Sequence, residues 1–339
     1  MSERVLSERE LNRALLARQL LLERSTLSIP RALERMGGIQ NQYAPNAYIR
    51  LWSCLQDFER DDLTRALERR TVVQGTLMRS TIHLVSARDY WLFAAGGRQG
   101  LRDWMLKVDK STTESELRKR DARLHKALAA GPRSAKELGE VAKLRAGLWA
   151  EVARVPPSGT WQRRRADVYA LAEQWLGPCN ASEEDGLAHL VRRYLGGFGP
   201  STLKDVASWA GPPATTLAPS LNRLRLRRFR AEDGTELLDL PRAPLPPPDT
   251  PAPVRFLPTW DAILLAHARR SGVLPERYRP VVFSTKNPPS VPTFLVDGRV
   301  AGAWRYEGGR IRLEPYERLS RAVRSELVEE GERLRRFMA

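Results

Sequence analysis

The sequence has 339 residues and a formal net charge of +16, with 56 lysines and arginines against 40 aspartates and glutamates. Its length and its 42% hydrophobic and 28% charged residues exclude wholesale disorder and allow two or three domains with substantial cores. Genome composition can explain a preference for arginine over lysine, but the excess of cations over anions favours a polyanionic partner, nucleic acid ahead of a membrane surface.

Several classes of protein are excluded by what the sequence lacks. The two cysteines, Cys54 and Cys179, fit no metal-ligand or redox spacing, and the four histidines are scattered. We therefore expect no metal and no cofactor. No apolar signal region follows Met1, and no apolar run approaches the roughly 20 residues that span a bilayer. The sequence predicts a soluble cytoplasmic protein, nucleoid-associated if the partner is DNA, with no membrane contact.

Residues 1–110 have the pattern of an elaborated winged helix. Helices are predicted over residues 7–22, 28–36 and 61–70. Ser7 can cap the first of these helices, with Glu10 at the capping-box spacing, and Gly37-Gly38 stops the second. Residues 71–86 are rich in β-branched side chains and predict a hairpin interrupted at Gly75.

The middle of the chain contains a repeat at an offset of 68 residues. Residues 131–138 and 199–206 both read Gly-Pro, then a Ser or Thr able to cap a helix, then a short amphipathic helix. Further helices are predicted before the two copies, at 121–130 and 183–195, and after them, at 143–154 and 215–224.

Each copy is then followed by a predicted hairpin. In the second copy, strands 226–231 and 235–240 flank Asp233-Gly234, and in the first copy a turn at 156–159 leads into 160–165. Three helices followed by a hairpin are typical of winged helices, which we predict at residues 111–180 and 181–240.

The C-terminal part begins after a proline-rich segment. Residues 241–258 contain eight prolines and predict a linker, which can still pack along the surface. Residues 259–339 predict a small α+β domain: a hairpin over 294–304, a strand over 311–314 and a helix over 317–338. We expect Trp260 to pack in its core and Asp261 to cap a helix. The whole chain therefore predicts an α+β fold that is mainly α.

Two clusters of arginine occupy matching positions of the repeat. The second copy has five in residues 222–230, and the first has Arg163, Arg164 and Arg165 in the equivalent wing. Wings and recognition helices are the parts of a winged helix that meet DNA, so we expect contacts from Arg163, Arg164, Arg225, Arg227 and Arg228. The alternative is a set of solvated side chains. If the protein neutralises six to ten phosphates, its affinity for DNA should fall roughly 10³–10⁵-fold when the salt concentration rises from 50 to 200 mM.

Four separated motifs give the sequence a family resemblance. They are Gly-Gly-Ile-Gln-Asn-Gln at residues 37–42, and the segments 75–84, 260–267 and 296–304. With them the chain resembles the AlkZ/YcaQ-like winged-helix DNA glycosylases. The resemblance implies three tandem winged helices in a C-shaped body with a basic concave face. It also implies excision of N7- or N3-alkylated purines from double-stranded DNA, as a monomer. Some members unhook interstrand crosslinks, which would serve self-resistance to a genotoxic natural product.

The resemblance assigns catalysis to Gln40 and Gln42. The family signature is Gln-x-Gln in the crosslink-resistance branch and Gln-x-Asp in the housekeeping branch, so this chain is similar to the first. Asn41 departs from the usual aliphatic middle residue. A purine alkylated at N7 or N3 is already cationic and leaves as a neutral molecule, so two amides that orient a water can suffice. Without the resemblance, the tripeptide would be interpreted as a polar loop after a helix.

Further DNA contacts are predicted from Asn41, Arg50, Arg79, His83 and Arg299. For His83, in an alternating strand, the alternative is a hydrogen-bonded structural histidine. Arg299 stands at the tip of the Asp297-Gly298 hairpin, where it would either enter the minor groove or be solvated.

Two other functions remain open from the sequence. A winged-helix transcription regulator explains the repeat and the basic clusters equally well, but it gives no reason for Gln-x-Gln and fits three unlike units poorly. A protein that sequesters the genotoxin itself is disfavoured, weakly, by the excess of cations if the ligand is neutral. Base release from damaged DNA separates these three functions.

Overall fold

The computed structural model describes residues 4–108, 110–143, 148–265, 270–283 and 290–339. The fold is α+β and mainly α, which confirms the predicted class. Among the described residues, no helix has the length and apolar character needed to cross a membrane.

The N-terminal part follows the predicted order and adds two helices that the sequence analysis did not predict. Its elements are β1 (Val5–Leu6), α1 (Glu8–Arg18), α2 (Ile29–Met36), β2 (Ile39–Gln40), α3 (Ala44–Cys54), α4 (Arg60–Glu68), β3 (Val72–Thr76), β4 (Ile82–Ser86) and α5 (Ala87–Val108). The predicted capping box is confirmed, because Ser7 accepts from the Glu10 backbone while the Glu10 side chain accepts from that of Ser7. Helix α2 ends at Gly37, whose φ of 81° is left-handed, also as predicted.

The middle of the chain contains the two copies of the repeat. The first contains α6 (Glu114–Leu128), β5 (Arg133–Ser134), α7 (Ala135–Leu138), α8 (Glu140–Lys143), β6 (Val152–Arg154), β7 (Val168–Leu171) and α9 (Ala172–Leu176). The second contains α10 (Glu183–Phe198), α11 (Leu203–Ala210), α12 (Ala214–Leu217), β8 (Arg227–Ala231) and β9 (Glu236–Asp239). Ser134 and Thr202 cap α7 and α11 at equivalent positions, so the copies share their local signals.

The C-terminal part contains the predicted hairpin and the long final helix. Its elements are β10 (Arg255–Leu257), α13 (Ala262–Leu265), α14 (Arg279–Val282), β11 (Thr293–Val296), β12 (Arg299–Glu307), β13 (Arg310–Pro315) and α15 (Arg321–Met338).

Three sheets connect these parts. Strands β2-β4-β3-β6-β7-β5 form one antiparallel sheet, so the hairpin of the first predicted unit continues into that of the second. Strand β1 pairs in parallel with β8, which places the N-terminus beside the third unit, and β10 to β13 form the C-terminal sheet. The division into units at residues 110, 180 and 240 and the C-shaped arrangement stay predictions.

Helices α5 and α10 pack closely at the centre of the molecule. A Cβ on Gly96 would lie 2.4 Å from the backbone carbon of Gly186, so the two helices touch backbone to backbone. Around this crossing, Phe93, Tyr194 and Trp209 form edge-on and tilted ring pairs. Helix α5 also packs against β3 and β4, so this closely packed centre supports both strands.

Three predictions of local structure are corrected. Residues 143–154 are not one helix, because Val152–Arg154 form β6; residues 144–147 lie outside the described part. The Pro156-Pro157 pair just beyond disfavours helix in the residues before it. Gly75 lies inside β3 rather than interrupting the hairpin. The proline-rich segment ends in a strand, β10, that pairs with β11.

The rest of that proline-rich segment lies against the protein surface. The carbonyl oxygens of Pro244 and Thr250 accept hydrogen bonds from Arg18 (2.9 and 3.1 Å) and Arg13 (2.7 Å) of α1. The segment is therefore fixed along α1 by main-chain hydrogen bonds.

Candidate active site and DNA interface

A pair of glycines directs the chain from α2 into β2. Gly37 and Gly38 both have φ of 81°, a backbone conformation that other residues adopt only with strain. A Cβ on Gly38 would also lie 3.0 Å from the Val85 side chain of β4. The turn brings Gln40 into register opposite His83 of β4.

The segment between β3 and β4 turns sharply next to Gln40. Arg79 and Ser80 have φ of 52° and 59°, which costs a non-glycine residue about 1–3 kcal/mol. Backbone hydrogen bonds of 3.1 Å between Leu77 and Thr81, and between Thr81 and Met78, hold the turn closed. The strained turn is therefore closed by hydrogen bonds within its own backbone.

Both predicted catalytic amides lie against this turn. The Oε1 atom of Gln40 accepts a hydrogen bond from Arg79 Nη2 at 3.1 Å, and Gln42 Oε1 accepts one from the backbone N–H of Ile82 at 2.9 Å. Gln40 is half-buried and Gln42 is exposed. A carbonyl oxygen has two lone pairs, so each amide keeps one for a water molecule.

Asn41 points away from the two glutamines. Its backbone N–H donates to Ile82 O at 2.7 Å, while its side chain, 2% exposed, donates from Nδ2 to Gln74 Oε1 at 3.0 Å. Gln74 in turn donates to Gly159 O at 3.1 Å. Asn41 Oδ1 has no hydrogen-bond partner in the described part of the chain. The prediction of a DNA contact from Asn41 is wrong, because the position is interior, which suits the usual aliphatic residue.

His83 is also interior, which corrects the prediction that it contacts DNA. It is 2% exposed, and its Nδ1 lies 3.0 Å from Thr81 O, so Nδ1 carries the proton and donates. Burial, together with the charge of Arg79, lowers the pKa of His83 to about 3. His83 is therefore a hydrogen-bonded structural histidine, as the alternative interpretation predicted, and it is neutral at ordinary pH.

Arg50 forms a buried ion pair, so its predicted DNA contact is wrong as well. Its Nε lies 3.0 Å from Asp261 Oδ2, and its Nη2 donates to the carbonyl and side-chain oxygens of Gln19, both at 3.0 Å. Burial raises the pKa of Asp261, against the opposing effect of Arg50. Asp261 also accepts from the Ile263 N–H at 3.0 Å, which confirms its predicted capping role.

Arg79 remains available for an anion beside Gln40. It is half-buried, its Nη1 donates weakly to Ser208 O at 3.4 Å, and burial lowers its pKa. Among the described residues it has no carboxylate partner. A guanidinium without a counter-ion at this position can meet a phosphate.

The wing loop between β6 and β7 reaches the same site. Arg163 and Arg164 lie in this loop rather than in the strand-like flank predicted at 160–165, because the second strand begins at Val168, and Arg163 is 3.6 Å from Asp167. Arg164 donates to the hydroxyl of Tyr43 at 2.9 Å and lies over the ring of Trp161. Because Tyr43 directly follows Gln42, the basic wing and the two amides form one continuous surface.

The arginines in and just before β8 divide into structural and free side chains. Arg227 donates twice to the fully buried Asp239, at 2.6 and 2.9 Å, and shares this carboxylate with the buried Arg18, so its guanidinium is engaged within the protein. Arg228 is exposed but paired with Glu236. Arg225 is exposed and has no hydrogen-bond or ion-pair partner among the described residues.

The hairpin tip beside Arg299 does not project into solvent. Arg9 and Arg13 of α1 hold Asp297, and Asn12 donates to Gly298 O at 2.9 Å. Arg299 itself is exposed and donates to a backbone oxygen, that of Ser271, at 3.2 Å. The alternative of insertion into the minor groove is therefore disfavoured, because the tip packs on α1.

Two residues of the site escaped the sequence analysis. Gln74 is fully buried and connects Asn41 to the wing loop, and a polar residue in the apolar run Val72-Val73-Gln74 was its sequence signal. Tyr43 is 45% exposed, and a large aromatic directly after Gln-x-Gln was the signal for it.

Comparisons with known proteins identify the family of the chain. The family described as DNA glycosylase AlkZ-like matches residues 33–337. Among solved structures, the DNA glycosylase AlkZ of Streptomyces sahachiroi is similar, with a TM-score of 0.81, 17% sequence identity, and coverage of 98% of this chain and 97% of that one. At this identity the likeness concerns the fold. No curated protein matches the sequence. The match over most of the chain shows that the protein belongs to the AlkZ-like DNA glycosylase family and is a DNA glycosylase.

Proposed function

We propose that Gln40 and Gln42 form the catalytic pair, and that the substrates are cationic alkylated purines in double-stranded DNA. The observation that carries this proposal is the chemistry of the pair. Among the described residues, the hydrogen bonds of these two amides involve no carboxylate, thiol or charged histidine. A site without a general acid matches only a leaving group that needs no proton.

N7-alkylguanine supplies such a leaving group. Water oxygen bonds to C1′ of the sugar while the C1′–N9 bond breaks, and the electron pair stays on the base, which becomes neutral. The water proton passes to solvent. An amide oxygen that accepts from the water fixes its direction of attack, and the same dipole stabilises the positive charge that develops on the sugar.

The surroundings of the pair support DNA as the substrate. Arg79 lies beside Gln40 without a carboxylate partner, and the wing with Arg164 lies beside Gln42. The exposed position of Gln42 suits bulky adducts and interstrand crosslinks, whose second half stays attached to the duplex and prevents flipping into a pocket. We extend the proposal to unhooking of such crosslinks by a monomer, in self-resistance to a genotoxic natural product.

Single-turnover excision from a duplex with one N7-methylguanine tests the catalytic pair. We expect Gln40→Ala and Gln42→Ala each to slow base release about 10²-fold, because each loses a preorganised dipole. Lesion-DNA affinity should change little. The matched control is Gln56→Ala, an exposed glutamine in another loop, which should release the base at the wild-type rate.

Two results would each contradict a different part of the proposal. Wild-type rates in both variants would remove the glutamines from the mechanism and leave the glycosylase activity in place. Tight binding without base release by the wild type, across N7- and N3-alkyl lesions and crosslinks, would contradict the proposed substrates and favour a binding protein.

A further inference from the structure

A basic cleft lies beside the end of α2, the helix that precedes the Gly37-Gly38 turn. It has a volume of about 570 Å³ and lies between α2, α10 and the segment that follows β9. Five arginines line it: Arg35, Arg192, Arg193, Arg225 and Arg242. The cleft therefore collects cations from four separate segments of the chain.

Most of these cations have no counter-ion. Arg35, Arg192, Arg225 and Arg242 are exposed, and none forms a hydrogen bond or an ion pair with a described residue. By contrast, Arg227, two positions after Arg225, is paired with Asp239. Among the described residues, Arg225 therefore lacks the carboxylate partner that Arg227 has.

The two remaining charged groups of the lining, Arg193 and Glu34, pair with each other and with neighbouring residues, since Arg193 Nη2 lies 3.9 Å from Glu34 Oε2. Arg193 pairs with Asp89 at 2.7 Å and donates to Glu34 O at 2.9 Å. The Glu34 carboxylate is buried, lies 2.9 Å from Arg31, and is the one acidic group in the lining. Four uncompensated guanidinium groups around one cavity repel one another unless an anion lies between them.

We propose that this cleft binds phosphates of the DNA backbone beside the lesion. Guanidinium groups match phosphate oxygens in pairs, and exposed arginines on several elements can hold successive phosphates. Arg35 stands five residues before Gln40, so at most about 18 Å of chain separates them. Phosphates follow one strand at about 3.4 Å along the helix axis, which places the contacted ones within about five nucleotides of the lesion. This inference rests on the proposed position of the lesion at Gln40.

The salt dependence of binding to an undamaged duplex tests the cleft. For Arg192→Ala/Arg242→Ala, the slope of log K against log salt should become shallower by about 2, since each lost phosphate contact contributes about 0.9. The charge-matched control is Arg321→Ala/Arg324→Ala, at the exposed start of α15, which should keep the wild-type slope. The substituted residues are exposed, and equal unfolding curves would verify that folding is unchanged. Arg35→Gln offers a single, milder variant with an expected change of about 1.

An equal slope of log K against log salt in the wild type and the cleft variants would overturn the proposal. So would a cleft that binds inorganic phosphate, seen as a melting-temperature increase lost in Arg192→Ala/Arg242→Ala, with no change in DNA binding. Neutral methylphosphonates within five nucleotides of the lesion should weaken the wild type more than the cleft variant, and an equal loss in both would contradict the proposal. These outcomes are independent of catalysis: a wild type that binds with the predicted slope but releases no base contradicts the proposed function alone.

Discussion

Acidification should destabilise the protein through His83, and substitution should remove that effect. The pKa of His83 is lowered from 6.5 to about 3 in the folded state. Because the folded state excludes the proton, the stability contributed by neutral His83 is complete above pH 6.5. It is lost as the pH falls from 6.5 towards 3. At 1.36 kcal/mol per pH unit, the loss at pH 5 is about 2 kcal/mol.

Urea unfolding at pH 7.5 and pH 5.0 measures this loss. For His83→Gln, the free energy of unfolding should fall between the two pH values by about 2 kcal/mol less than it does for the wild type. Comparing the two differences cancels every other titrating group. Parallel pH dependences in the two proteins would refute the assignment of a neutral, buried histidine. The same neutrality predicts that base release by the wild type shows no step from His83 near pH 6.5.

Two further substitutions test the packing behind the site. Asp261→Ala leaves Arg50 buried without its carboxylate and should lower the free energy of unfolding by about 3–5 kcal/mol in chemical denaturation. A loss below about 1 kcal/mol would contradict the buried ion pair. Gly75→Ala places a Cβ 2.7 Å from the buried ring of Tyr90 and should cost about 1–3 kcal/mol by the same assay. Gly97→Ala, within helix α5, is the matched control and should not destabilise, because beyond its own helix no atom of the described residues lies within 4 Å of the added carbon; equal effects at both glycines would refute the close contact.

Local signals predicted the parts of the fold that depend on neighbouring residues. The capping box at Ser7 and the stop at Gly37 follow from side-chain and backbone preferences within one helical turn. The Asp297-Gly298 hairpin is of the same kind. Helix α3 was missed, since all of its residues are buried and its pattern lacks a polar face.

The sequence indicated where the candidate site lies, but not which of its arginines form ion pairs within the protein and which stay unpaired. Arg225 and Arg227 are near neighbours with similar sequence surroundings, yet only Arg227 meets the buried Asp239, which lies across the hairpin. Arg50 and Asp261 are distant in sequence, so nothing local indicated their pairing. Which charged groups are buried depends on contacts between distant segments, and a single sequence does not contain that information.

We propose that two amides suffice for catalysis because the departing base is already a cation. Single-turnover release of 7-methylguanine and of hypoxanthine from otherwise identical duplexes tests this proposal. We expect enzyme-dependent release of the cationic 7-methylguanine and release of neutral hypoxanthine no faster than without enzyme. Comparable release of the two bases would contradict it, because a neutral base requires an acid that Gln40 and Gln42 do not supply.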